Sequence, residues 1–202
     1  MIKQGICIFG GSFDPVHKGH KKLALYVTEK LNLRKMLIIP TAMSPFKSTS
    51  GATPSDRMEM CQLTFYEEEF IVSDTEIARG GKSYTIDTIK AVKEMYPDEK
   101  LYLLIGSDQL VHFDKWYRFE EILSLVTLVA VSRQGNALRT ELEKIADEKL
   151  RPYGECIILD FEAFVISSTE IRNIAASGGD VSEFTEKQVS DYIKQKGLYL
   201  DV

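Results

Sequence analysis

The stretch GGSFDPVHKGH, from Gly10 to His20, determines how the amino-terminal part of this chain folds. Before it, the short apolar run KQGICIF predicts a buried strand that the glycine pair ends. After it, HKKLALYVTEKL carries apolar residues at helical spacing. The predicted unit is therefore a strand, a glycine-rich turn and a helix. Such a turn lets backbone approach a ligand, and a helix start favours an anion such as phosphate because its first N–H groups lack partners.

Two histidines lie where this helix is expected to begin. His17 and His20 are three residues apart, so both imidazoles should face one side of the first turn, where they could donate to phosphate oxygens. HxxH spacing also suits a pair of metal ligands, but His112 and the cysteines provide no CxxC or HExxH pattern to complete such a site. The fingerprint GxGxxG is absent, which leaves a nicotinamide-dependent dehydrogenase without support.

Short apolar runs that suit strands buried on both faces alternate with amphipathic helical segments along the rest of the chain. The runs are Lys35–Ile39, Phe70–Ser73, Leu101–Ile105, Val126–Val131 and Cys156–Phe161. This alternation predicts an α/β fold: a Rossmann-like, doubly wound parallel sheet flanked by helices, with its ligand crevice at the carboxyl ends of the strands.

Two helices between these strands are the most clearly marked. One should open at Thr53-Pro54 and bury Met58, Cys61 and Phe65 on one face. The other should run from about Thr85 to Met95 and be stopped by Pro97, with an apolar face directed inward. That face consists of Ile86, Ile89, Val92 and Met95. The polar segment Pro40–Thr53 between strand and helix suits a substrate loop.

Composition limits the function classes. A chain of 202 residues, 44% hydrophobic and 27% charged, suits one domain over 1–202, with a small helical part from about 167. The net charge of −5 and the absence of a basic run argue against nucleic-acid and membrane-surface binding. Three scattered cysteines in apolar segments indicate buried thiols in a reducing compartment. No signal peptide or membrane-spanning run is evident, so we expect a cytoplasmic protein.

A second motif, ISSTEIR from Ile166 to Arg172, lies far downstream. Ser167 followed three residues later by Glu170 predicts a capping box, which by itself is an ordinary way to start a helix. The run of three hydroxyls exceeds what capping requires, and Arg172, one turn into the helix, could point back at an anion held there. Two helix starts could thus hold one polyphosphate from two sides of the crevice.

The pair GSFDPVHxGH and ISSTxIR resembles the motifs of the HxGH nucleotidyltransferase superfamily, whose members transfer a nucleoside monophosphate from a triphosphate. The further segments SYTIDTI, IGSDQL, KWYRFEEIL, VSRQG and VSDYIKQKGLY resemble the bacterial nicotinate mononucleotide adenylyltransferases, and the similarity spans nearly the whole chain. The resemblance implies transfer of AMP from ATP to nicotinate mononucleotide, with release of pyrophosphate and no covalent enzyme intermediate. It also implies magnesium, Mg²⁺, brought as the ATP complex.

The resemblance assigns roles to individual residues. The catalytic set is His17, His20, Lys47 and Arg172. The ATP-binding set is Gly10, Gly11, Ser12, Phe13, Gly19, Gly106, Asp108, Arg133, Ile166, Ser167, Ser168 and Thr169. The set for nicotinate mononucleotide is Lys47, Ser83, Tyr84, Thr85, Trp116 and Tyr117. No residue is assigned to a metal, and Arg57 and Arg79 are expected to be surface charges.

Some readings of individual residues remain open at the level of sequence. Phe13 and Trp116 are equally typical of a core, Asp108 of a helix cap, and Lys47 of a solvated surface. Where the family usually has Pro-Pro-His-Lys, this chain has Phe46 before Lys47, and we hypothesise that Phe46 packs over the pyridine end or Trp116. Adenylyl transfer to nicotinamide mononucleotide or phosphopantetheine, a non-catalytic nucleotide-binding regulator, and a homo-oligomeric state are the alternatives left open.

Overall fold

The computed structural model describes residues 4–42, 51–132, 136–161 and 166–200, with side chains omitted for 136–138. Six strands form one parallel sheet in the order β3-β2-β1-β4-β5-β6. The strands are β1 Ile6–Gly11, β2 Lys35–Pro40, β3 Phe70–Val72, β4 Leu101–Gly106, β5 Thr127–Ser132 and β6 Cys156–Asp160. The strand order reverses between β1 and β4, which is where a doubly wound sheet opens a ligand crevice.

Helices connect the strands and cover both faces of the sheet. They are α1 Lys18–Lys30, α2 Pro54–Thr64, α3 Thr75–Arg79, α4 Thr85–Met95, α5 Ser107–Leu110, α6 Phe119–Leu125, α7 Asn136–Lys149, α8 Ser168–Ala176 and α9 Lys187–Lys196. Helices α8 and α9 follow the last strand, β6. The predicted α/β fold with a doubly wound parallel sheet is confirmed, as is each of its six strands.

The two faces of the sheet support two hydrophobic cores, because side chains alternate along a strand. In β1, Cys7 and Phe9 join the core that α1, α2, α8 and α9 cover, whereas Ile6 and Ile8 join the core beneath α4, α6 and α7. The three cysteines are buried and unbridged, as the sequence predicted. Burial raises the pKa of the Cys156 thiol to about 11, so this thiol is neutral and packs as an apolar group.

Two details of the predicted helix faces are wrong. Helix α2 begins after Thr53 as expected, but its buried methionine is Met60 rather than Met58, which is half-buried. In α4, Met95 is 52% exposed although it continues the apolar stripe of the helix. It is the last residue of α4, and the chain turns away at Tyr96, so no neighbouring element covers it.

Candidate active site

The predicted phosphate-binding residues gather at the carboxyl ends of two neighbouring strands. Gly10 and Gly11 end β1, Gly106 ends β4, and the two strands pair in parallel from Ile6 onward. Both glycine-containing turns therefore open onto the same edge of the sheet, at the reversal of strand order. This placement brings together residues that are about 95 positions apart in the sequence, in the crevice where ligands of such folds bind.

The turn after β1 is shaped by Phe13. This residue has a φ of 48°, and its ring folds back so closely that a Cβ at Gly11 would lie 3.0 Å from it. The ring is 2% exposed and packs edge-on against Phe9 and His20, with centroids 5.3 Å and 5.1 Å away. The side chain of Phe13 is therefore part of the core, and only its backbone could contact a nucleotide.

The two histidines lie together at the start of α1, as predicted. His17 is the N-cap residue, and its ring stacks on that of His20 with centroids 3.7 Å apart. The backbone N–H of His17 donates to Nδ1 of His20 at 3.2 Å, so a neutral His20 ring carries its hydrogen on Nε2. His17 is 7% exposed and His20 is half-buried. In the first turn of α1, which includes Gly19, the N–H of Lys18 donates to the Phe184 carbonyl at 2.8 Å and the N–H of His20 to the His17 carbonyl at 2.9 Å, so the imidazoles rather than these two N–H groups are the candidate phosphate donors.

The second motif starts α8 with the predicted capping box. The Ser167 hydroxyl accepts from the Glu170 N–H at 3.2 Å, and Glu170 Oε2 accepts from the Ser167 N–H at 2.8 Å. Glu170 Oε2 also accepts from the Ser167 hydroxyl at 2.7 Å, and this hydrogen bond, together with the one from the Ser167 N–H, lowers the pKa of the Glu170 carboxyl. The capping box leaves the first N–H groups of α8, next to Ile166, at the crevice edge where the sequence placed the second helix start.

Side chains of the second motif bind directly to the first turn. Ser168 Oγ donates to the carbonyl of Pro15 at 2.9 Å, and the Arg172 guanidinium donates to the carbonyl of Asp14 at 2.7 Å. Arg172 also donates to Thr169 Oγ1 at 3.2 Å. The two motifs therefore form one unit. Each of the three hydroxyls has a partner within the protein, so the hydroxyl run serves to join the motifs as well as to start a helix.

Arg57 belongs to this unit, although the sequence analysis expected it to be a surface charge. The residue is 3% exposed, and its guanidinium donates to the carbonyls of Ser12 at 2.7 Å and Thr41 at 2.6 Å. Burial lowers the pKa of Arg57, and the negative charge of Asp14 opposes that shift. Arg57 thus ties the turn after β1 to the loop after β2. Its position in the sequence, one residue past the capping box of α2, does not indicate this role.

Gly106 and Asp108 occupy the crevice edge at β4. The N-cap residue of α5 is Gly106, and Asp108 is the second residue of that helix, so Asp108 is not its cap. Asp108 is exposed, and its carboxylate lies so close to Gly106 that a Cβ there would be 2.4 Å from Oδ1. A glycine at position 106 therefore lets the carboxylate fold back over the end of β4.

A separate cavity of about 210 Å³ unites the two segments predicted to hold the pyridine end. It is lined by Ser83, Tyr84, Thr85, Lys115, Trp116, Tyr117 and Ile122. Thr85 is the first residue of α4, so its N–H has no partner within the helix. Trp116 is half-buried and lies on Phe113, with ring centroids 4.9 Å apart, while the rings of Tyr84 and Tyr117 are 5.1 Å apart.

Ser83 connects this cavity to the rest of the site. Its hydroxyl accepts from the backbone N–H of Ala42 at 3.1 Å, close to the carbonyls that Arg57 holds. Lys47, Phe46 and Arg133 lie outside the described residues, as does most of the predicted substrate loop. Lys115 lines the cavity but was not singled out from the sequence.

The described ranges contain no group of three or more His, Cys, Asp or Glu side chains placed to hold a metal ion. The absence of a protein metal site stays a prediction. Among the described helices, none is both long and apolar enough to cross a bilayer.

Residues 8–174 match the model of the cytidylyltransferase-like family. The chain is 34% identical over 197 residues to a Caldicellulosiruptor bescii protein named probable nicotinate-nucleotide adenylyltransferase, covering 96% of this chain and 98% of that protein. An Aquifex aeolicus protein of the same name is 41% identical over 170 residues, covering 81% and 98%. The two glycine turns lie within the segment that the family model matches, and α8 begins within that segment and ends two residues beyond it.

The fold is similar to that of a solved structure. Nicotinic acid mononucleotide adenylyltransferase of Plasmodium falciparum, complexed with NaAD, superposes with a TM-score of 0.78 over 97% of both chains. Sequence identity to that protein is 20%, so this similarity bears on the fold alone.

Proposed function

Because the chain belongs to the cytidylyltransferase-like family and its relatives are named for one activity, we propose that it is a nicotinate-nucleotide adenylyltransferase of NAD biosynthesis. It joins the AMP part of ATP to nicotinate mononucleotide and yields nicotinate adenine dinucleotide and pyrophosphate. The observation that carries the proposal is that hydrogen bonds join the two motifs where the strand order reverses. Arg172 donates to the carbonyl of Asp14, and Ser168 donates to the carbonyl of Pro15. That bonding places two helix starts around one crevice.

The reaction is a displacement at phosphorus. A phosphate oxygen of nicotinate mononucleotide attacks the α-phosphorus of ATP, a new P–O bond forms, and the bond to the bridging oxygen of the β-phosphate breaks. The electron pair of that bond leaves with pyrophosphate. Because the attacking phosphate is already ionised, the protein supplies neither a nucleophile nor a general base. Its contribution is to position two anions and to stabilise the charge that develops on the phosphates.

His17 and His20 are the proposed donors to those phosphates. The Nδ1 atom of His20 accepts from the His17 N–H, so a neutral ring carries its hydrogen on Nε2, and Nε2–H is the donor that we propose for phosphate. Phe13 packs against the edge of His20 and holds the ring in place. A donor that is already oriented needs no rearrangement during the reaction, and such donors are worth about 3 to 4 kcal/mol each in the transition state. Arg172 acts mainly by holding the turn.

The triphosphate is proposed to lie along the two glycine turns. The backbone from Gly10 to Ser12, Gly19 in the first turn of α1 and the first turn of α8 would offer N–H groups, and the adenosine ribose would lie near Asp108 beyond Gly106. The exposed carboxylate of Asp108, which does not cap α5, supports this role. Lys47 and Arg133 keep the roles that the family resemblance implies, a phosphate contact and an adenine neighbour.

The pyridine ring is proposed to occupy the 210 Å³ cavity beside Trp116. A flat indole offers a stacking surface, and the N–H of Thr85, which has no partner within α4, suits the ring carboxylate. Tyr117 would add a second backbone donor, and Ser83 and Tyr84 complete the wall. An amide substrate would present its own NH2 to these donors and leave one of them unpaired, so the acid is preferred.

Magnesium is proposed to enter with ATP rather than to occupy a site of its own. Asp14, the carboxylate closest to the turn, is 4% exposed and has Oδ1 occupied by a hydrogen bond from Tyr199, so it does not suit direct ligation. Mg²⁺ commonly keeps several waters and binds substrate phosphates, whose charge it offsets. We further propose a cytoplasmic location, which the three unbridged thiols support because a reducing compartment preserves them.

The decisive test is incubation of the purified protein with ATP and magnesium chloride in four parallel samples. Three contain nicotinate mononucleotide, nicotinamide mononucleotide or phosphopantetheine, and the fourth contains no acceptor. Pyrophosphate release is followed together with chromatographic detection of the product. We expect release and nicotinate adenine dinucleotide with the acid mononucleotide. Equal turnover of the amide would contradict the carboxylate contacts at Thr85 and Tyr117, and inactivity with all three acceptors would contradict catalysis and favour a regulator.

A further inference from the structure

Two tyrosines near the carboxyl end of the chain reach back to aspartates near its beginning. Tyr199 Oη donates to Asp14 Oδ1 at 2.8 Å, and Tyr192 Oη donates to Asp56 Oδ1 at 2.9 Å. The two contacts are alike in chemistry and in length. Only the first reaches the turn that carries the proposed phosphate-binding residues, whereas the second reaches the start of α2.

The Tyr199 contact is buried on both sides. Tyr199 is 3% exposed and Asp14 is 4% exposed. Burial, together with the negative charge of Asp14, raises the pKa of the Tyr199 hydroxyl far above its usual value. The phenol therefore stays protonated and remains a donor. A buried carboxylate that lost this donor would have fewer compensating hydrogen bonds, so the turn around it would rearrange.

The backbone of Tyr199 is held in an unfavourable conformation. Its φ of 70° lies in the left-handed region, which favours glycine and disfavours residues with a Cβ. A non-glycine residue keeps such a φ only where surrounding contacts enforce it, and strain of this kind concentrates at functional sites. Here the ring is part of the core that α1, α2, α8 and α9 cover, and the hydroxyl is directed at Asp14.

Asp14 is the point where the supports of the turn converge. Its carbonyl accepts from Arg172, and the carbonyl two residues earlier, at Ser12, accepts from Arg57. The charges of Arg57 and Arg172 both act on the Tyr199 hydroxyl as well. Tyr199 thus adds a third support, on the carboxylate of the same residue, and it comes from the opposite end of the chain.

We propose that Tyr199 is a positioning residue for adenylyl transfer, which acts by orienting Asp14 and thereby the turn that faces the ATP phosphates. The inference rests on the proposed function. Tyr199 itself touches neither substrate. Because the phosphate charge develops along the reaction, a displaced turn should weaken stabilisation of the transition state more than binding of ATP.

The test compares Tyr199→Phe, which removes only the hydroxyl, with the matched variant Tyr192→Phe, in the assay with ATP, magnesium and nicotinate mononucleotide. For each protein kcat, the KM for ATP and the thermal unfolding midpoint are measured. We expect Tyr199→Phe to lower kcat about tenfold or more with an ATP KM within about threefold of wild type. Tyr192→Phe should lower the unfolding midpoint less, because its contact is only partly buried, and should keep its kcat.

A second measurement tests whether Tyr199 acts through Asp14. In an Asp14→Ala background, adding Tyr199→Phe should leave kcat unchanged, because the partner of the hydroxyl is already absent. A kcat of Tyr199→Phe within about twofold of wild type, equal losses in both tyrosine variants, a rise in the ATP KM alone, or full additivity with Asp14→Ala would each overturn the inference. Activity of the wild-type protein in the same assay tests the proposed function separately.

Discussion

Arg57 provides the sharpest test of how the site is assembled. Its guanidinium makes two short hydrogen bonds, to the carbonyls of Ser12 and Thr41, from a position that is 3% exposed. Hydrogen bonds that involve a charged group contribute about 1.5 to 3 kcal/mol each. For Arg57→Met, which keeps the apolar stem, we expect the lower end of the combined range, about 3 kcal/mol, because Ser12 is half-buried and water can replace one donor.

For a chain of this length, a loss of about 3 kcal/mol corresponds to a fall of roughly 6 to 12 °C in the unfolding midpoint. The unfolding midpoint of Arg57→Lys should fall about half as far, since one ammonium cannot bridge two carbonyls with the geometry of a guanidinium. Both variants should remain folded at 25 °C, which allows kinetics to be measured there. We expect kcat/KM to fall about 100-fold for Arg57→Met, because the turn after β1 and the loop after β2 lose their common anchor.

The assay pairs thermal unfolding with steady-state kinetics, and Arg79→Met serves as the control. Arg79 is exposed, and within the described part of the chain its guanidinium makes one long hydrogen bond, 3.3 Å, to Thr88 Oγ1. Its replacement should change stability by less than about 0.5 kcal/mol. If Arg57→Met matched Arg79→Met in both stability and kcat/KM, the anchoring role of Arg57 would be refuted.

Three further outcomes are expected. His20→Ala should lower kcat by about 10² to 10³ and leave circular dichroism unchanged, because it removes one oriented donor, and near-normal turnover would contradict that role. Trp116→Ala should raise the KM for nicotinate mononucleotide about tenfold but not that for ATP, with Trp116→Phe intermediate, whereas equal effects on both substrates would argue against stacking. Glu170 has a lowered pKa in the folded state, so its charged form stabilises the protein above about pH 4.5 and that contribution is lost as the pH falls through the lowered value. The stability difference between wild type and Glu170→Gln should therefore shrink below about pH 4.5 in urea unfolding, and a constant difference would show that the capping box does not titrate there.

Local patterns account for the parts of the fold that were predicted correctly. The run LYLLI forms the strand β4, and the capping boxes at Thr53 and Ser167 start α2 and α8. Each of these signals lies within a few consecutive residues, so it can be read without knowledge of distant neighbours. The same is true of the stacked histidines, since their spacing along one helix determines that they meet.

The errors concern residues whose surroundings are set by distant segments. Arginine is usually a surface residue. Here strand β2 ends beside β1, and the segments that follow the two strands enclose Arg57. Met95 continues an apolar helical stripe, yet as the last residue of α4 it is 52% exposed. Helical periodicity indicates which residues share a face, but it does not indicate what covers that face.

The sequence by itself determined the alternation of strands and helices, the glycine turn, both helix starts and, through its resemblance to a known family, the expected chemistry. Only the tertiary structure decided that Arg172 and Ser168 bind the carbonyls of Asp14 and Pro15, and that Tyr199 reaches the Asp14 carboxylate. These contacts join residues 153 to 185 positions apart. Two features cause these contacts: the order of strands in the sheet, and the packing of α8 and α9 against the turn after β1. Both depend on the burial of whole elements rather than on any local pattern.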